Sequence, residues 1–333
     1  AKQLVPIANK PVLFYGLEAI KAAGVEDVGI VVGETAREIV QAVGDGSKWG
    51  VDVTYIQQDE PLGLAHAVLV SEPFLGTDDF VMYLGDNLIR EGISGLVEQY
   101  RRNRPNSQIL LASVKEPERF GVAELEGGRV VRLVEKPEKP ASDLALVGVY
   151  MFDGNVMEAV KAIEPSARGE LEITDAIQWL IDRGFSVDPH IIDGWWKDTG
   201  RLEDMLEANR IMLDTMEASN RGHVDSESQV HGMVVIQDGA EIINSTIRGP
   251  AIIGEGTRIV NSFVGPFTSI YYGVEVRGSE VEHSIILENS RICEISGRIE
   301  DSLIGQNVVV ERSPLKPAAY RLMLGDNSRI GLL

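Results

Sequence analysis

The stretch that decides the fold is Phe80-Val81-Met82-Tyr83-Leu84-Gly85-Asp86-Asn87. Its apolar residues favour a β-strand, the run stops at a glycine, and a carboxylate follows at once. In an open α/β sheet, ligands bind beyond the carboxyl ends of the strands, so Asp86 is expected to face that crevice. A carboxylate there suits Mg²⁺, which takes one or two protein carboxylates together with substrate phosphate oxygens. The alternative is that Asp86 only begins a turn or caps the next helix.

The residues around this stretch alternate between predicted strands and predicted helices. Strands are predicted at 28–32, 51–56, 80–84 and 109–114, and helices at 11–23, 35–43, 64–70 and 93–101. That alternation is typical of a parallel sheet whose faces are covered by helices. A sheet of this kind normally opens with a strand and a glycine-rich phosphate loop, and neither is present before Lys2. We therefore expect the chain to begin after the first strand of its domain.

The middle of the chain is built differently. Three strands are predicted at 122–125, 130–134 and 146–152, separated by charged loops that contain Gly and Pro. We expect these strands to form an insertion that makes one wall of a pocket. Beyond them the pattern predicts helices at 170–183 and 201–216, with a strand at 187–192.

From about Gly222 the sequence repeats with a period close to six residues. Aliphatic residues recur at Ile247, Ile253, Ile259, Val264, Ile270 and Val276, and aliphatic-glycine pairs occur at 304–305 and 324–325. This pattern is typical of a parallel β-helix, in which the aliphatic residue of each repeat points to the axis of a triangular coil. Ordinary antiparallel strands are the alternative, which the strict spacing disfavours. A loop is expected to interrupt the repeat near residues 313–317.

The composition excludes several classes of protein. The chain has 333 residues, and its 31 basic and 51 acidic residues give a net charge of −20. That balance argues against a nucleic-acid-binding protein, whose footprint is a basic face. No apolar run approaches the ~20 residues that a membrane helix needs. A chain of this length is expected to form two domains, and without such a run we expect no membrane contacts. The single cysteine, Cys293, excludes an intrachain disulfide, so we expect a cytoplasmic protein.

A second metal ligand is predicted at Asp198. It lies in Gly194-Trp195-Trp196-Lys197-Asp198-Thr199-Gly200, and like Asp86 it follows an apolar strand. Two carboxylates at the ends of two strands can bind one Mg²⁺ between them. The alternative is that Asp198 caps the following helix.

Two further loops carry residues suited to binding a phosphorylated sugar and a base. In Glu135-Lys136-Pro137 the lysine can hold a phosphate and the glutamate can accept hydrogen bonds from hydroxyls. In the loop 58–65, Gly63 lets a flat ring approach the backbone, and Gln58 can both donate to and accept from a base edge. Each loop has a plainer alternative, namely a solvated charged pair and an ordinary Pro/Gly turn. The five histidines show no metal spacing.

A series of motifs in this order resembles the sugar-1-phosphate nucleotidylyltransferase family. The motifs are KQLVPIANKP, QDEPLGLAHA, YLGDN, FGVAEL, VEKP, LVGVY, RGELEITDAIQWL and WWKDTG. The resemblance covers nearly all of residues 1–210 and is nearest to thymidylyltransferases that carry a C-terminal left-handed β-helix. It implies an α/β domain with a Rossmann-like, mostly parallel sheet at 1–221 and a left-handed β-helix domain at 222–333.

The resemblance also implies an activity and its residues. Members join dTTP to glucose 1-phosphate with Mg²⁺ and release pyrophosphate. By this resemblance Asp86 and Asp198 bind Mg²⁺, Lys136 binds the sugar phosphate and Lys2 contacts phosphate. The remaining substrate-binding residues would lie along the sugar, the base and the strand end: Gly121, Glu135, Val147, Gly148, Trp196, Gln58, Pro61, Gly63, Gln3, Leu84 and Gly85.

Several alternatives stay open. The enzyme could use UTP, or N-acetylglucosamine 1-phosphate, or its β-helix could also transfer acetyl groups with His283 as the base. It could also be a non-catalytic sugar-nucleotide-binding subunit, although retention of Asp86, Lys136 and Asp198 argues against that. If the glycine-rich loop is truly missing, no catalysis is expected. The faces of the β-helix and the 201–216 helix predict a homo-oligomer.

Overall fold

The computed structural model describes residues 1–192, 194–312, 322–323 and 328–331. By their contacts these residues form two compact units. The first comprises Ala1–Leu4 and Val12–Thr199, and the second comprises Val5–Pro11 and the described part of Gly200–Leu333. The second unit therefore takes in a helix and a hairpin that the sequence analysis places in a domain of residues 1–221.

The helices begin and end within a few residues of the predicted limits, and two of them, α4 and α6, were not predicted because their apolar patterns are short. They are α1 (Val12–Ala22), α2 (Ala36–Val43), α3 (Leu64–Val70), α4 (Glu72–Leu75), α5 (Ser94–Asn103), α6 (Val156–Ala162), α7 (Ile173–Asp182) and α8 (Leu202–Leu213). None of the helices in the described part of the chain is long and apolar enough to cross a membrane.

The strands up to residue 198 include the predicted ones and several short additions. They are β1 (Pro6–Ile7), β2 (Lys10–Pro11), β3 (Asp27–Val32), β4 (Asp52–Gln57), β5 (Phe80–Tyr83), β6 (Asn87–Ile89), β7 (Ser107–Ser113), β8 (Gly121–Glu126), β9 (Arg129–Glu135), β10 (Leu144–Phe152), β11 (Val187–Ile191) and β12 (Trp196–Asp198).

Strand β10 is the centre of the main sheet of the first unit. It pairs with β5, β7 and β8, and it runs antiparallel to all three. β3 pairs in parallel with β4 in a separate two-stranded sheet, and β11 pairs in parallel with β7. The other pairs of the main sheet in the described residues are antiparallel, so the predicted mostly parallel pairing is wrong for this sheet. The prediction that β8, β9 and β10 together form an inserted wall is thus wrong for β10. Its side chains are buried on both sides, which only a central strand allows.

Helices cover both faces of this central strand. Leu146, Tyr150 and Phe152 pack in one apolar cluster with the buried face of α6 and α7, while Val147 and Met151 pack in another cluster with α5. Alternate residues of a strand point to opposite faces of its sheet, so β10 contributes to both clusters. The predicted class, an α/β domain and a parallel β-helix, is confirmed.

In its described residues the β-helix has three parallel sheets with six, six and five strands. Its strands are short, and they are β13 (Ser219–Asn220), β14 (His223–Val224), β15 (Gln229–His231), β16 (Val234–Ile236), β17 (Glu241–Ile243), β18 (Thr246–Arg248), β19 (Ala251–Ile253), β20 (Arg258–Val260), β21 (Phe263–Val264), β22 (Thr268–Ile270), β23 (Glu275–Arg277), β24 (Glu280–Val281), β25 (Ile285–Ile286), β26 (Arg291–Cys293), β27 (Arg298–Ile299), β28 (Leu303–Ile304) and β29 (Val309–Glu311).

The predicted aliphatic positions all lie inside the coil. Ile247, Ile253, Ile259, Val264, Ile270 and Val276 each have 0% of their surface exposed. The register stacks Ile247 on Val264 and Ile259 on Val276, one coil further along. Cys293 is buried among the same coils, as expected for a small apolar residue. The predicted pair at 324–325 and the loop near 313–317 lie outside the described residues, and the hand of the coil stays a prediction.

Hydrogen bonds of one buried amide explain why the hairpin β1–β2 and helix α8 belong to the second unit. Asn209 of α8 has 0% of its surface exposed. Its Oδ1 accepts hydrogen bonds from the Ala8 backbone N–H at 2.8 Å and from the Ser269 hydroxyl at 2.6 Å. Its Nδ2 donates to the Phe267 carbonyl at 3.1 Å. A buried amide with three partners joins elements that are far apart in sequence.

We expect Ile259→Ala to destabilise the β-helix by about 2–5 kcal/mol, because it removes buried methyl groups and leaves a cavity in the coil. Urea denaturation followed by circular dichroism measures the loss. The matched control is Val230→Ala in β15, where 37% of the valine surface is exposed and an effect within about 0.5 kcal/mol is expected. Equal midpoints for the two variants would contradict the assignment of Ile259 to the interior.

Candidate active site

The two predicted metal-binding aspartates are brought side by side by a short pair of strands. Asp86 lies between β5 and β6, and Asp198 ends β12. β12 pairs antiparallel with β6, so that Asp198 is opposite Asn87. Thr199 holds the turn, because its N–H and its hydroxyl both donate to the Asp86 carbonyl, at 3.0 and 2.9 Å. Asp86 lies in the turn before β6 and the N-cap of α8 is Arg201, so neither aspartate caps a helix.

Lys2 forms an ion pair with Asp86, close enough to Asp198 for its charge to act on the lysine. Its Nζ is 2.5 Å from Asp86 Oδ2. Burial lowers the pKa of Lys2, but its hydrogen bond to Asp86 and the charges of Asp86 and Asp198 outweigh this and raise it above the ordinary value. The lysine therefore stays protonated at neutral pH and supplies a positive charge at the centre of the site.

The donor atoms at this point fit Mg²⁺. The Lys2 ammonium group contacts Asp86, and the charge of Asp198 also acts on it, so negative charge gathers at this point. No group of three or more His, Cys, Asp or Glu residues suited to a metal occurs in the part of the chain that the structure describes. Two carboxylates are enough for Mg²⁺, because it keeps several waters and takes its other ligands from substrate phosphates.

Asn87, which the sequence analysis did not single out, connects Asp86 to the neighbouring strands. Its Nδ2 donates to Asp86 Oδ1 at 3.0 Å. Its Oδ1 accepts from the Trp196 indole at 2.6 Å and from the Gly148 backbone N–H at 3.1 Å. In the sequence, only its position next to Asp86 in the motif YLGDN could have indicated a role for Asn87.

The strand end at Leu84 and Gly85 lies against β10. The Leu84 N–H donates to the Gly148 carbonyl at 2.8 Å. A Cβ on Gly148 would lie 2.7 Å from both Asn87 and Leu84, so only glycine fits there. The side chain of Val147 has 0% of its surface exposed and packs in the core, so only its backbone is available to a substrate.

A second group of predicted residues gathers at the ends of β8 and β9. Gly121 pairs with Glu135 in the antiparallel register. The Thr174 hydroxyl donates to Glu135 Oε2 at 3.3 Å. Burial, and then the nearby charge of Glu172, raise the pKa of the Glu135 carboxyl above its ordinary value. A partly buried carboxylate of this kind is suited to accept hydrogen bonds from sugar hydroxyls.

Two cations flank this carboxylate. Lys136 Nζ is 3.9 Å from Glu135 Oε1, and 46% of its side chain is exposed. Arg168 Nη1 is 3.4 Å from the same oxygen, while its Nη2 contacts Glu170 at 2.7 Å. Sequence reasoning did not select Arg168, because an arginine in a charged loop is usually solvated. The structure places it beside Glu135, where it is a second candidate for holding a phosphate.

The loop from Gln58 to Gly63 is held together locally. The Gln58 amide donates to the Gly63 carbonyl at 3.2 Å and lies 3.0 Å from His66 Nδ1. Gly63 has a φ of +101°, and a Cβ there would meet the Leu171 carbonyl at 2.5 Å. Glycine is therefore required for the loop to pack, whatever its role toward a base. Pro61 lies exposed in the same loop.

One cavity of about 1240 Å³ brings several of these residues together. Its lining includes Lys2, Gln3, Gln58, Leu84, Gly85 and Asp86. Other predicted site residues do not line it, namely Pro61, Gly63, Glu135, Lys136 and Asp198. Gln3 lies next to Gly85, since a Cβ on that glycine would be 3.5 Å from Gln3 Cγ. Lys2 and Gln58 thus face the same cavity.

His283, the candidate base for acetyl transfer, lies in the β-helix. Its Nδ1 is 2.5 Å from Asp301 Oδ1, and its ring meets Phe267 edge-on, with 6.1 Å between centroids. The carboxylate partner lies on the surface, with 70% of the Asp301 side chain exposed. Asp301 thus orients the ring of His283 through its Nδ1 atom. Acetyl transfer stays an alternative activity, which an assay has to test.

Comparison with known proteins identifies the family of this chain. The family model described as nucleotidyl transferase matches residues 1–215. A glucose-1-phosphate thymidylyltransferase of Streptomyces griseus is 58% identical over 330 residues, which is 99% of this chain and 93% of that protein. The bifunctional protein GlmU of Methanocaldococcus jannaschii is 33% identical over 310 residues, covering 92% of this chain and 72% of that protein.

A solved structure matches as well. A candidate glucose-1-phosphate thymidylyltransferase of Bacillus anthracis, in complex with sucrose, aligns with a TM-score of 0.61 at 35% identity. The alignment covers 66% of this chain and 89% of that one. With the family model matching residues 1–215 and high identity over nearly the whole chain, the protein belongs to the nucleotidyl transferase family.

Proposed function

We propose that this protein transfers a thymidylyl group from dTTP to glucose 1-phosphate, giving dTDP-glucose and pyrophosphate. The observation that carries the proposal is the cluster of Lys2, Asp86 and Asp198, in which Lys2 and Asp86 line one cavity and the charge of Asp198 acts on Lys2. It combines with 58% identity, over 99% of the chain, to a glucose-1-phosphate thymidylyltransferase.

The reaction is a displacement at the α-phosphorus of dTTP. A phosphate oxygen of glucose 1-phosphate forms the new P–O bond, the bond between the α-phosphorus and its bridging oxygen breaks, and pyrophosphate leaves with the electron pair. The attacking oxygen is already anionic, so no general base is needed. Positioning and charge neutralisation account for most of the catalysis of such transfers.

Each part of the chain then has a task. Lys2 neutralises charge on the triphosphate, Lys136 and Arg168 hold the sugar phosphate, and Glu135 accepts hydrogen bonds from sugar hydroxyls. Asp86 and Asp198 would hold Mg²⁺, which when bound neutralises phosphate charge. Gln58, in its loop with Gly63, would read the base.

The test is pyrophosphate release with a panel of nucleoside triphosphates and sugar 1-phosphates, with and without Mg²⁺. Release with dTTP and glucose 1-phosphate, dependent on Mg²⁺, is the expected result. Higher kcat/KM with UTP or with N-acetylglucosamine 1-phosphate would replace the proposed specificity. Acetyl transfer from acetyl-CoA to glucosamine 1-phosphate would assign a second activity to His283, and no release with any pair would favour a non-catalytic subunit.

The raised pKa of Glu135 predicts a pH effect. As the pH falls, Glu135 takes up a proton at a higher pH than an ordinary glutamate, whose pKa is about 4.3. The neutral carboxyl accepts hydrogen bonds poorly, so kcat/KM for glucose 1-phosphate is expected to fall on this acid limb. Glu135→Gln should lower kcat/KM and remove the limb, while the exposed Glu138→Gln should retain it. A limb that survives in Glu135→Gln belongs to the phosphate of the substrate.

We also propose that the protein acts in the cytoplasm as a homo-oligomer. Its substrates are those of nucleotide metabolism, and its single cysteine is compatible with a reducing compartment. Light scattering during gel filtration measures the oligomeric state, and a monomer at working concentration would contradict the second part.

A further inference from the structure

We infer that Asn87 is a positioning residue that couples the metal-binding carboxylate to the sugar-binding wall of the site. The inference rests on the proposed function for the identity of the substrates. It assigns to Asn87 no contact with substrate. The three hydrogen bonds of its amide to Asp86, Gly148 and Trp196 carry the argument.

The orientation of this amide is determined by its partners. The Trp196 indole N–H and the Gly148 backbone N–H can only donate, so the atom that they share must be the amide oxygen. The amide NH₂ must then face Asp86, at a distance of 3.0 Å between Nδ2 and Oδ1. A flipped amide would place a donor against two donors and the oxygen against a carboxylate.

Asn87 is also held rigidly by its surroundings. Asn87 has 3% of its surface exposed, so water cannot replace its partners without loss. The Tyr83 hydroxyl donates to its carbonyl at 3.3 Å, and its own N–H donates to the Leu84 carbonyl at 2.9 Å. Backbone and side chain are thus both held, and a shift of the amide displaces Asp86 and Trp196 together.

The side-chain hydrogen bonds of Asn87 reach both the side of the site proposed for nucleotide and metal and the side proposed for the sugar. Toward the nucleotide and metal, the amide NH₂ fixes which oxygen of Asp86 is free to bind a cation. Toward the sugar, the amide oxygen holds the indole of Trp196, whose ring meets Phe120 edge-on with 5.4 Å between centroids. Partners that orient a metal ligand typically contribute about 10- to 100-fold to metal affinity.

Two variants of Asn87 separate these effects. Asn87→Leu keeps the size of the side chain and removes all three hydrogen bonds. Asn87→Asp keeps acceptors for Gly148 and Trp196 but removes the donor and brings a second carboxylate against Asp86. Two carboxylates so close repel each other, so Asp86 is expected to leave its position in Asn87→Asp. The Trp196 indole keeps its acceptor in this variant, so a loss at Asp86 without a loss at Trp196 is expected, which a loss of packing alone does not produce.

The matched control is Asn106→Asp. Asn106 also donates from Nδ2 to an aspartate, Asp153 at 2.7 Å, and accepts from a backbone N–H, that of Ser186 at 2.9 Å. It lies outside the site, so the change tests the general effect of breaking such a bond. It is expected to alter stability without altering metal or sugar binding.

Three readouts are used on the full chain. Mn²⁺ binding is titrated by electron paramagnetic resonance, glucose 1-phosphate binding by calorimetry, and the Trp196 indole N–H by its nitrogen–proton NMR resonance. Both Asn87 variants are expected to weaken Mn²⁺ binding by about 10-fold or more. In Asn87→Leu the indole resonance should also move to that of a free N–H, and glucose 1-phosphate binding should weaken.

The outcomes test the role of Asn87 separately from the proposed function. Mn²⁺ affinity equal to or above that of the wild type in Asn87→Asp overturns the coupling role, even if Asn87→Leu fails to fold. Equal losses in Asn106→Asp also overturn it. If the wild-type chain releases no pyrophosphate with any pair, the proposed function fails, while the Mn²⁺ titration and the indole resonance still decide the role of Asn87.

Discussion

Asp86→Asn is expected to lower kcat by about 1000-fold or more, the largest effect of any change considered for this protein. The substitution removes one of two negative charges that would hold Mg²⁺, and an amide is a much weaker ligand for that ion. A factor of 1000 corresponds to about 4 kcal/mol of transition-state stabilisation, which is within the range of metal and oxyanion interactions.

The measurement is pyrophosphate release at saturating dTTP and glucose 1-phosphate over a range of Mg²⁺ concentrations. Asp143→Asn is the matched control, because Asp143 is an exposed aspartate that accepts a hydrogen bond from Ser113 outside the site. It should leave kcat unchanged. Turnover of Asp86→Asn at the wild-type rate would remove the metal assignment of this residue.

Lys136→Met is expected to lower kcat/KM for glucose 1-phosphate by about 10- to 150-fold. The substitution keeps the apolar length of the side chain and removes the charge. Charge-assisted bonds to phosphate contribute about 1.5–3 kcal/mol each, and Glu135 then loses one of its neutralising partners as well. The KM for dTTP should change much less, because the triphosphate is proposed to bind at Lys2.

Steady-state kinetics with each substrate varied in turn test this split. Lys139→Met is the control, since Lys139 is an exposed lysine close in sequence. It should behave as the wild type. Equal losses of kcat/KM for both substrates in Lys136→Met would indicate a general effect on the transition state, and no loss would assign the sugar phosphate to Arg168 instead.

The elements with a strong local pattern could be predicted closely. Helix α3 has the predicted limits of 64 and 70, and the aliphatic positions of the β-helix are all buried as the six-residue period requires. Both patterns are repeated burial of one face, which neighbouring residues specify by themselves. The central position of β10 could not be predicted, since a continuous apolar run does not reveal its partners.

The candidate site divides in the same way. Asp86, Asp198, Glu135 and Lys136 could be selected from residue type at strand ends. The roles that stay predictions are those that need a bound substrate. Asn87 and Arg168 were missed, because their partners lie far away along the chain, at Trp196 and Glu135.

The sequence by itself determined the two kinds of domain, their order and the residue types of the site, because periodicity and strand-end chemistry are local properties. Only the tertiary structure decided the rest. It paired β6 with β12 so that the two aspartates meet, and it grouped α8 and the β1–β2 hairpin with the β-helix through Asn209. Such contacts depend on shape and hydrogen-bond geometry between distant segments, which no local pattern encodes.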